Sequence, residues 1–311
     1  YNALKRINFK PKIYEVVHNR MGFGGDSTSY GKEFTHVAVC VSPDAEKYFK
    51  SKMPTFPTIV IPNGVDTNTF AVRPPKPRGA RLVGGFTGRL EGGWGKGVPD
   101  IIEIVKDLPI DFELVGTDYG GFKKQIQDRG IKNIKVFPYS PNPEEAYKRW
   151  DFFLSMSPAE GFGLSIAEAV MMHIPTVLLN CGGVCHYLED HVSALIGDTP
   201  EEVRHRLWQL INDEVSLDQS QVDLSAVRMA QSYEDLYVKL KGGAVGATKD
   251  VRVTAIKAKT PPQNRGILGV TPELWHGVRR SLRGWCTDYA PPSQAIKFIR
   301  MHKPKVVVFG C

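Results

Sequence analysis

The segment from residue 152 to 172 combines an apolar run, a glycine turn and a helix-forming stretch without a break. FFLSMS predicts a strand, EGFG must turn sharply, and LSIAEAVMM has the alanine, leucine and glutamate content of a helix. A helix that begins directly after a strand end exposes unpaired backbone N–H groups, here near Gly163 and Leu164, at the positive end of its dipole. The segment therefore predicts an α/β fold with an anion site at this turn.

Two glutamates flank the turn, Glu160 and Glu168, with seven residues between them. Glu168 falls about one turn into the predicted helix, where a carboxylate can accept both hydroxyls of a ribose. Glu160 falls in the turn itself, where it can accept the hydroxyls of another sugar. A nucleoside diphosphate that carries a sugar would use the anion site and both carboxylates.

A second glycine-rich loop, GGFTGRLEGGWGKG, follows an apolar strand that begins at Leu82 and precedes another predicted helix. Such a loop brings backbone close to a phosphate, and Arg89 and Lys96 place two cations at its rim. The alternative is a pair of solvated surface cations. The phosphate interpretation is favoured because both glycine loops occupy strand-to-helix positions of one sheet.

Strands and helices alternate between the two loops, as they do in a doubly wound parallel sheet. FELVG predicts a strand that ends at Gly116, and a charged helical stretch follows to Arg129. IKVFPYS predicts the next strand and residues 143–149 the next helix. After the segment from 152 to 172, TVLLN predicts one more strand, followed by the turn CGGVCHYLED.

The motif EGFGLSIAE resembles the E-x7-E signature of retaining glycosyltransferases of family 4, which have the GT-B architecture. The resemblance implies two Rossmann-like, doubly wound parallel-sheet domains that face a cleft. It also implies transfer of a sugar from a UDP- or GDP-sugar to an acceptor hydroxyl on the same face, with retention of configuration. No cofactor beyond the donor and no metal is expected, so the protein's own cations would serve the phosphates.

The resemblance also implies residue roles. His18, at the end of the run KIYEVVH, would contact the transferred sugar or its phosphate, although a core histidine bonded to a backbone carbonyl is the alternative. With His18, the expected catalytic residues are Glu160, Arg89 and Lys96. The residues expected to bind the donor are Gly88, Arg89, Lys96, Glu160, Gly161, Phe162, Gly163, Leu164, Glu168, Gly266 and Gly269.

The order of the elements predicts a circular permutation of this family's usual order. Residues 1–72 resemble the second part of the acceptor-side domain, and residues 78–240 the nucleotide-sugar domain. Residues 250–311, with VRVTAIKA, PPQNRGILGV and KPKVVVFGC, resemble the missing first part. The small residues of 241–250 would then join the original termini, and Cys311 would lie beside Tyr1. A fragment of a longer protein that begins a second enzyme domain is the alternative.

Composition fits a two-domain enzyme, with 311 residues of which 42% are hydrophobic and 23% charged. The five cysteines and the lack of an apolar run long enough to span a bilayer predict a cytoplasmic protein, with peripheral membrane contact as an option. A net charge of +7 favours polyanionic surroundings: donor phosphates, an anionic leaflet or DNA. The acceptor stays open between a glycan, a lipid-linked sugar and a DNA base, as does the oligomeric state.

Two further interpretations compete with this one. Cys181, Cys185 and His186 suggest a metal site, but C-x3-C-H has no second pair of ligands at metal-site spacing, so ordinary buried thiols are favoured. A non-catalytic nucleotide- or DNA-binding protein on the same scaffold would use the same loops. Release of nucleoside diphosphate from a sugar donor distinguishes it from an enzyme.

Overall fold

The computed structural model describes residues 12–17, 35–74, 76–92, 95–241 and 306–310. Within these ranges the paired strands form two sheets, and all strand pairs are parallel. The first sheet is built from strands before residue 61 and from residues 306–310, and the second from strands between residues 83 and 197. This is the parallel α/β architecture that the sequence predicts. Several predicted features lie outside the described residues: Tyr1, His18, Gly93, Trp94, residues 242–305 with Gly266 and Gly269, and Cys311.

The first sheet has the strand order β10-β1-β2-β3. Its apolar strand β2 is followed by helix α1, which begins where Ser42 caps it by accepting the N–H of Ala45 at 3.2 Å. Strand β10 pairs in parallel with β1, so that VVVFG lies beside KIYEVV. The elements are β1 (Lys12–Val17), β2 (Thr35–Cys40), α1 (Pro43–Lys52), β3 (Thr58–Val60) and β10 (Val306–Gly310).

The second sheet has the strand order β6-β5-β4-β7-β8-β9, which is the doubly wound order. All four residues of the central strand β7, FFLS, are buried, because helices cover both faces of such a sheet. The strands are β4 (Val83–Thr87), β5 (Asp111–Val115), β6 (Ile134–Phe137), β7 (Phe152–Ser155), β8 (Thr176–Leu179) and β9 (Leu195–Gly197).

The helices of this sheet follow the predicted alternation. The helix predicted over 143–149 is shorter than expected, because its last bonds tighten to i→i−3 at Arg149 and Trp150 as the chain turns into β7. No helix in the described part of the chain is long and apolar enough to cross a bilayer. The helices are α2 (Val98–Val105), α3 (Phe122–Asp128), α4 (Glu144–Tyr147), α5 (Leu164–Met171), a 3-10 helix (Gly183–Tyr187), α6 (Pro200–Ile211) and α7 (Ala226–Lys241).

Candidate functional site

The strand order of the second sheet reverses between β4 and β7, which are neighbours although they are not consecutive in the chain. From β4 the chain proceeds to β5 on one side, and from β7 to β8 on the other. Loops that leave the carboxyl ends of two such strands diverge and open a crevice between them, where open α/β sheets bind their ligands. Both glycine segments singled out in the sequence leave the sheet at this crevice, although residues 84–87 of the first belong to β4 and not to the predicted loop.

Gly97 brings the two loops into contact. It caps the start of α2 with a φ of 66°, and a Cβ at this position would lie 2.0 Å from the carbonyl oxygen of Met156, just after β7. Any side chain would therefore force the loops apart. The preceding residue, Lys96, is carried to the turn that contains Glu160.

Lys96 and Glu160 form an ion pair across the crevice. The Lys96 Nζ lies 2.7 Å from Glu160 Oε1 and 2.9 Å from Oε2, so one ammonium donates to both carboxylate oxygens. The Lys96 side chain is 27% exposed and that of Glu160 is 13% exposed. Partial burial weakens solvent screening and makes this pair stronger than an ordinary surface pair. A phosphate in the crevice would compete with Glu160 for the same ammonium.

Helix α5 begins at the crevice without a side-chain cap. Its N-cap residue is Gly163, with a φ of 97° that favours glycine, and its first helical bond runs from the N–H of Ala167 to the Gly163 carbonyl. Within the described residues, the N–H groups of Leu164, Ser165 and Ile166 have no hydrogen-bond acceptor. Such N–H groups, at the positive end of the helix dipole, can bind an anion. The anion site that the sequence predicts here stays a prediction.

Glu168 is held from below by a tyrosine that sequence reasoning did not find. The Tyr147 hydroxyl lies 2.9 Å from Glu168 Oε2 and 2.8 Å from the carbonyl oxygen of Ser165. Tyr147 is fully buried, and its ring packs against those of Trp150 and Phe153 at centroid distances of 5.0 and 5.9 Å. These ring contacts fix the position of the hydroxyl and, through it, the position of the Glu168 carboxyl.

Burial dominates the electrostatics of Glu168. The pKa of this carboxyl is raised to about 7, chiefly by burial, while the hydrogen bond from Tyr147 lowers the pKa and the charge of Glu144 raises it. The Tyr147 hydroxyl has one hydrogen, which is shared between its two acceptors, Glu168 Oε2 and the Ser165 carbonyl oxygen. The carboxyl is thus poised to lose its proton near neutral pH.

Most of the other residues that are predicted to bind the nucleotide-sugar donor lie at the same crevice. Gly88 follows the end of β4, and the Arg89 side chain is 55% exposed beside Glu91, at 3.3 Å. Gly161 lies in the turn before α5. The Phe162 side chain is buried in the core, and its carbonyl accepts the Val184 N–H.

The start of helix α1, which follows strand β2 of the first sheet, contacts the turn before α5 and the turn after β8. The Ser42 hydroxyl donates to the Gly161 carbonyl at 2.7 Å. The Asp44 carboxylate accepts from the Gly183 N–H at 3.0 Å and lies 2.7 Å from His186 Nε2. Sequence reasoning missed these contacts because they join residues more than a hundred positions apart and leave no local pattern.

The two cysteines of the turn after β8 are not joined by a disulfide, with Cys181 buried and Cys185 partly buried. Among the described residues no group of three histidine, cysteine, aspartate or glutamate side chains is arranged to hold a metal ion. His186 contacts Asp44 and is 42% exposed. Within the part of the chain described, the C-x3-C-H motif therefore does not form a metal cluster.

The raised pKa of Glu168 predicts a pH-dependent stability. Between its ordinary value of 4.5 and the folded value of about 7, the native state holds a proton that the unfolded chain has lost. The contribution of Glu168 to the free energy of unfolding is therefore fully present below its unfolded pKa. This contribution is lost as the pH rises through its folded pKa. The free energy of unfolding, measured with urea, should fall between about pH 5 and about pH 8 by roughly 2 kcal/mol more than in Glu168→Gln. An equal pH dependence in both proteins would contradict the assignment.

Comparison with known proteins gives a family match for the part of the chain that forms the second sheet. Residues 75–225, which include β4 to β9 and both glycine loops, match the family model described as Glycosyl transferases group 1. An uncharacterized glycosyltransferase of Methanocaldococcus jannaschii is 27% identical over 127 residues, which are 38% of this chain and 36% of that protein. The match thus spans little more than a third of the relative's length.

Solved structures agree with the chain over a longer stretch. Sucrose-phosphate synthase of Thermosynechococcus elongatus has a TM-score of 0.62 at 14% identity, over 78% of this chain and 70% of that one. The Anabaena protein HepE in complex with UDP has a TM-score of 0.59 at 18% identity, over 74% and 72%. The chain thus shares its fold with these proteins, and residues 75–225 match the glycosyl transferases group 1 model.

Proposed function

We propose that the chain is a retaining glycosyltransferase of the family 4 type that uses a nucleoside diphosphate sugar as donor. The observation that carries the proposal is the arrangement at the β4–β7 crevice, where the Lys96–Glu160 pair, the uncapped start of α5 and Glu168 lie together. The family model over residues 75–225 and the UDP and UDP-glucose complexes of HepE, a fold neighbour, support the same ligand class.

The donor would occupy the crevice in a defined orientation. Its diphosphate lies against the first N–H groups of α5, with Lys96 and Arg89 as counter-ions. Its ribose hydroxyls bond to Glu168. Because phosphate takes the Lys96 ammonium, Glu160 exchanges that partner for the hydroxyls of the sugar. Donor binding thus converts an internal ion pair into two contacts with the ligand.

The reaction then depends on stabilising the leaving group. As the bond to the anomeric carbon breaks, negative charge develops on the departing phosphate. Fixed N–H dipoles and two cations stabilise this charge. A departing phosphate oxygen removes the proton of the acceptor hydroxyl, which attacks on the same face. Arg89 and Lys96 carry out the charge neutralisation that a metal ion performs in other transferases.

Acceptor-free hydrolysis tests the proposal and separates an enzyme from a non-catalytic binder. Incubated with UDP-, GDP- or ADP-glucose and a chelator, the chain should release nucleoside diphosphate slowly from one donor class. Arg89→Ala and Lys96→Ala should each lower kcat more than they raise KM, because their interaction grows in the transition state. Lys124→Ala, an exposed change on α3 that removes only an ion pair with Asp128 of the same helix, is the matched control.

Two results would count against this proposal. If no donor is hydrolysed although UDP binds, the non-catalytic interpretation is favoured. If both cation variants regain full turnover at saturating donor, neither residue stabilises the leaving group.

Glu168→Ala should weaken UDP binding at least tenfold in calorimetry, since one carboxylate that accepts two ribose hydroxyls is lost, and tenfold corresponds to about 1.4 kcal/mol. Glu201→Ala, an exposed glutamate in the first turn of α6, should leave the affinity unchanged. Equal affinity in wild type and Glu168→Ala would remove Glu168 from the ribose site.

We also propose that residues 250–311 precede residues 1–72 in the order of the fold, as a circular permutation of the family arrangement. The parallel pairing of β10 with β1 supports this order. A chain rearranged to run from 250 to 311 and then from 1 to 240 should keep the far-UV circular dichroism and bind UDP within about twofold of the original affinity. An insoluble product, or one that has lost UDP binding, would contradict the permutation.

A further inference from the structure

Two thiols lie side by side in the turn after β8. Cys181 follows the strand, Cys185 lies in the 3-10 helix, and their Sγ atoms are 3.6 Å apart. A disulfide requires an S–S distance of about 2.05 Å, so the sulfurs must approach by about 1.5 Å. A pair this close needs only local movement of the turn between the two residues to become oxidised.

This turn packs directly against the loop that carries Glu160. The Cys181 carbonyl accepts the N–H of Glu160 at 3.1 Å, and the Phe162 carbonyl accepts the N–H of Val184 at 2.6 Å. Gly183, between the two cysteines, is so close that a Cβ would lie 2.6 Å from the Phe162 oxygen and 3.1 Å from the Glu160 oxygen. A change in the conformation of this turn must therefore displace the backbone of Glu160, whose carboxylate is proposed to bind the sugar.

The two thiols differ in reactivity. The hydrogen bond from Cys181 lowers the pKa of Cys185 against the effect of burial and of the Asp44 charge, whereas the pKa of Cys181 is raised by that same bond, by burial and by Glu160. Cys185 is also the more accessible of the two thiols, so it is the residue that would react first.

We propose that Cys181 and Cys185 are a reversible oxidation site that forms an internal disulfide with a small-molecule disulfide as oxidant and thereby weakens donor binding. The Cys185 thiolate attacks one sulfur of glutathione disulfide, whose S–S bond breaks and releases one glutathione thiolate. The Cys181 thiol then loses its proton to solvent and attacks the Cys185 sulfur, which expels the second glutathione thiolate. Two protein thiols are oxidised and one glutathione disulfide is reduced to two thiols.

The effect on donor binding rests on the proposed function, whereas formation of the disulfide does not. Reduced and glutathione-disulfide-treated full chains are compared by peptide mapping, by UDP calorimetry and by hydrogen exchange of the amides from 158 to 164. We expect a 181–185 disulfide, UDP affinity reduced by at least about threefold, and faster exchange in that loop, all reversed by dithiothreitol. Cys185→Ser should show none of these changes. Cys286→Ser/Cys311→Ser, which removes two other thiols, should show all of them.

Free thiols or a persistent glutathione adduct at these positions would overturn the proposal, as would a mapped disulfide that leaves both loop exchange and UDP affinity unchanged. If the reduced chain binds no UDP, the proposed function fails, and the peptide map with loop exchange still decides whether the oxidation site exists and acts on the Glu160 loop.

Discussion

The site depends on the contact between two strand-to-helix loops at the reversal of strand order in the second sheet. Because β4 and β7 are neighbours, their following loops leave the same edge, and Gly97 lets them approach to within contact of the Met156 carbonyl. That approach brings Lys96 to Glu160 although 64 positions separate them. The same turn continues into α5, so the anion site and Glu168 take their positions from the contact as well.

The polar groups at this crevice are placed so that a ligand can replace their internal partners, rather than to give the fold maximal stability. A half-buried ion pair and a carboxyl with a raised pKa each leave a polar group whose interactions a ligand can improve. Tyr147 shows how the core supports this arrangement, because aromatic packing beneath the sheet fixes a hydroxyl that holds Glu168 in place. The catalytic proposal thus depends on packing as much as on charge.

Local patterns in the sequence predict the doubly wound strands and the start of α5, because apolar runs and glycine turns are properties of neighbouring residues. The ion pair of Lys96 with Glu160 was not predicted, because the family resemblance assigned Lys96 to the donor phosphates and Glu160 to the sugar. The contacts of Tyr147 with Glu168 and of Ser42 with Gly161 were not predicted, since they arise from packing between elements distant in the chain. The expectations for His18, Gly266 and Gly269 concern residues outside the described part of the chain.

A crystal structure of the chain with UDP would test the central claim most directly. The account predicts a diphosphate bonded to the N–H groups of Leu164 and Ser165 and to Lys96, with the ribose hydroxyls on Glu168. It also predicts that Glu160 no longer bonds to Lys96 in that complex. UDP bound elsewhere, or bound here with the Lys96–Glu160 pair intact and Glu168 still on Tyr147 alone, would contradict the account.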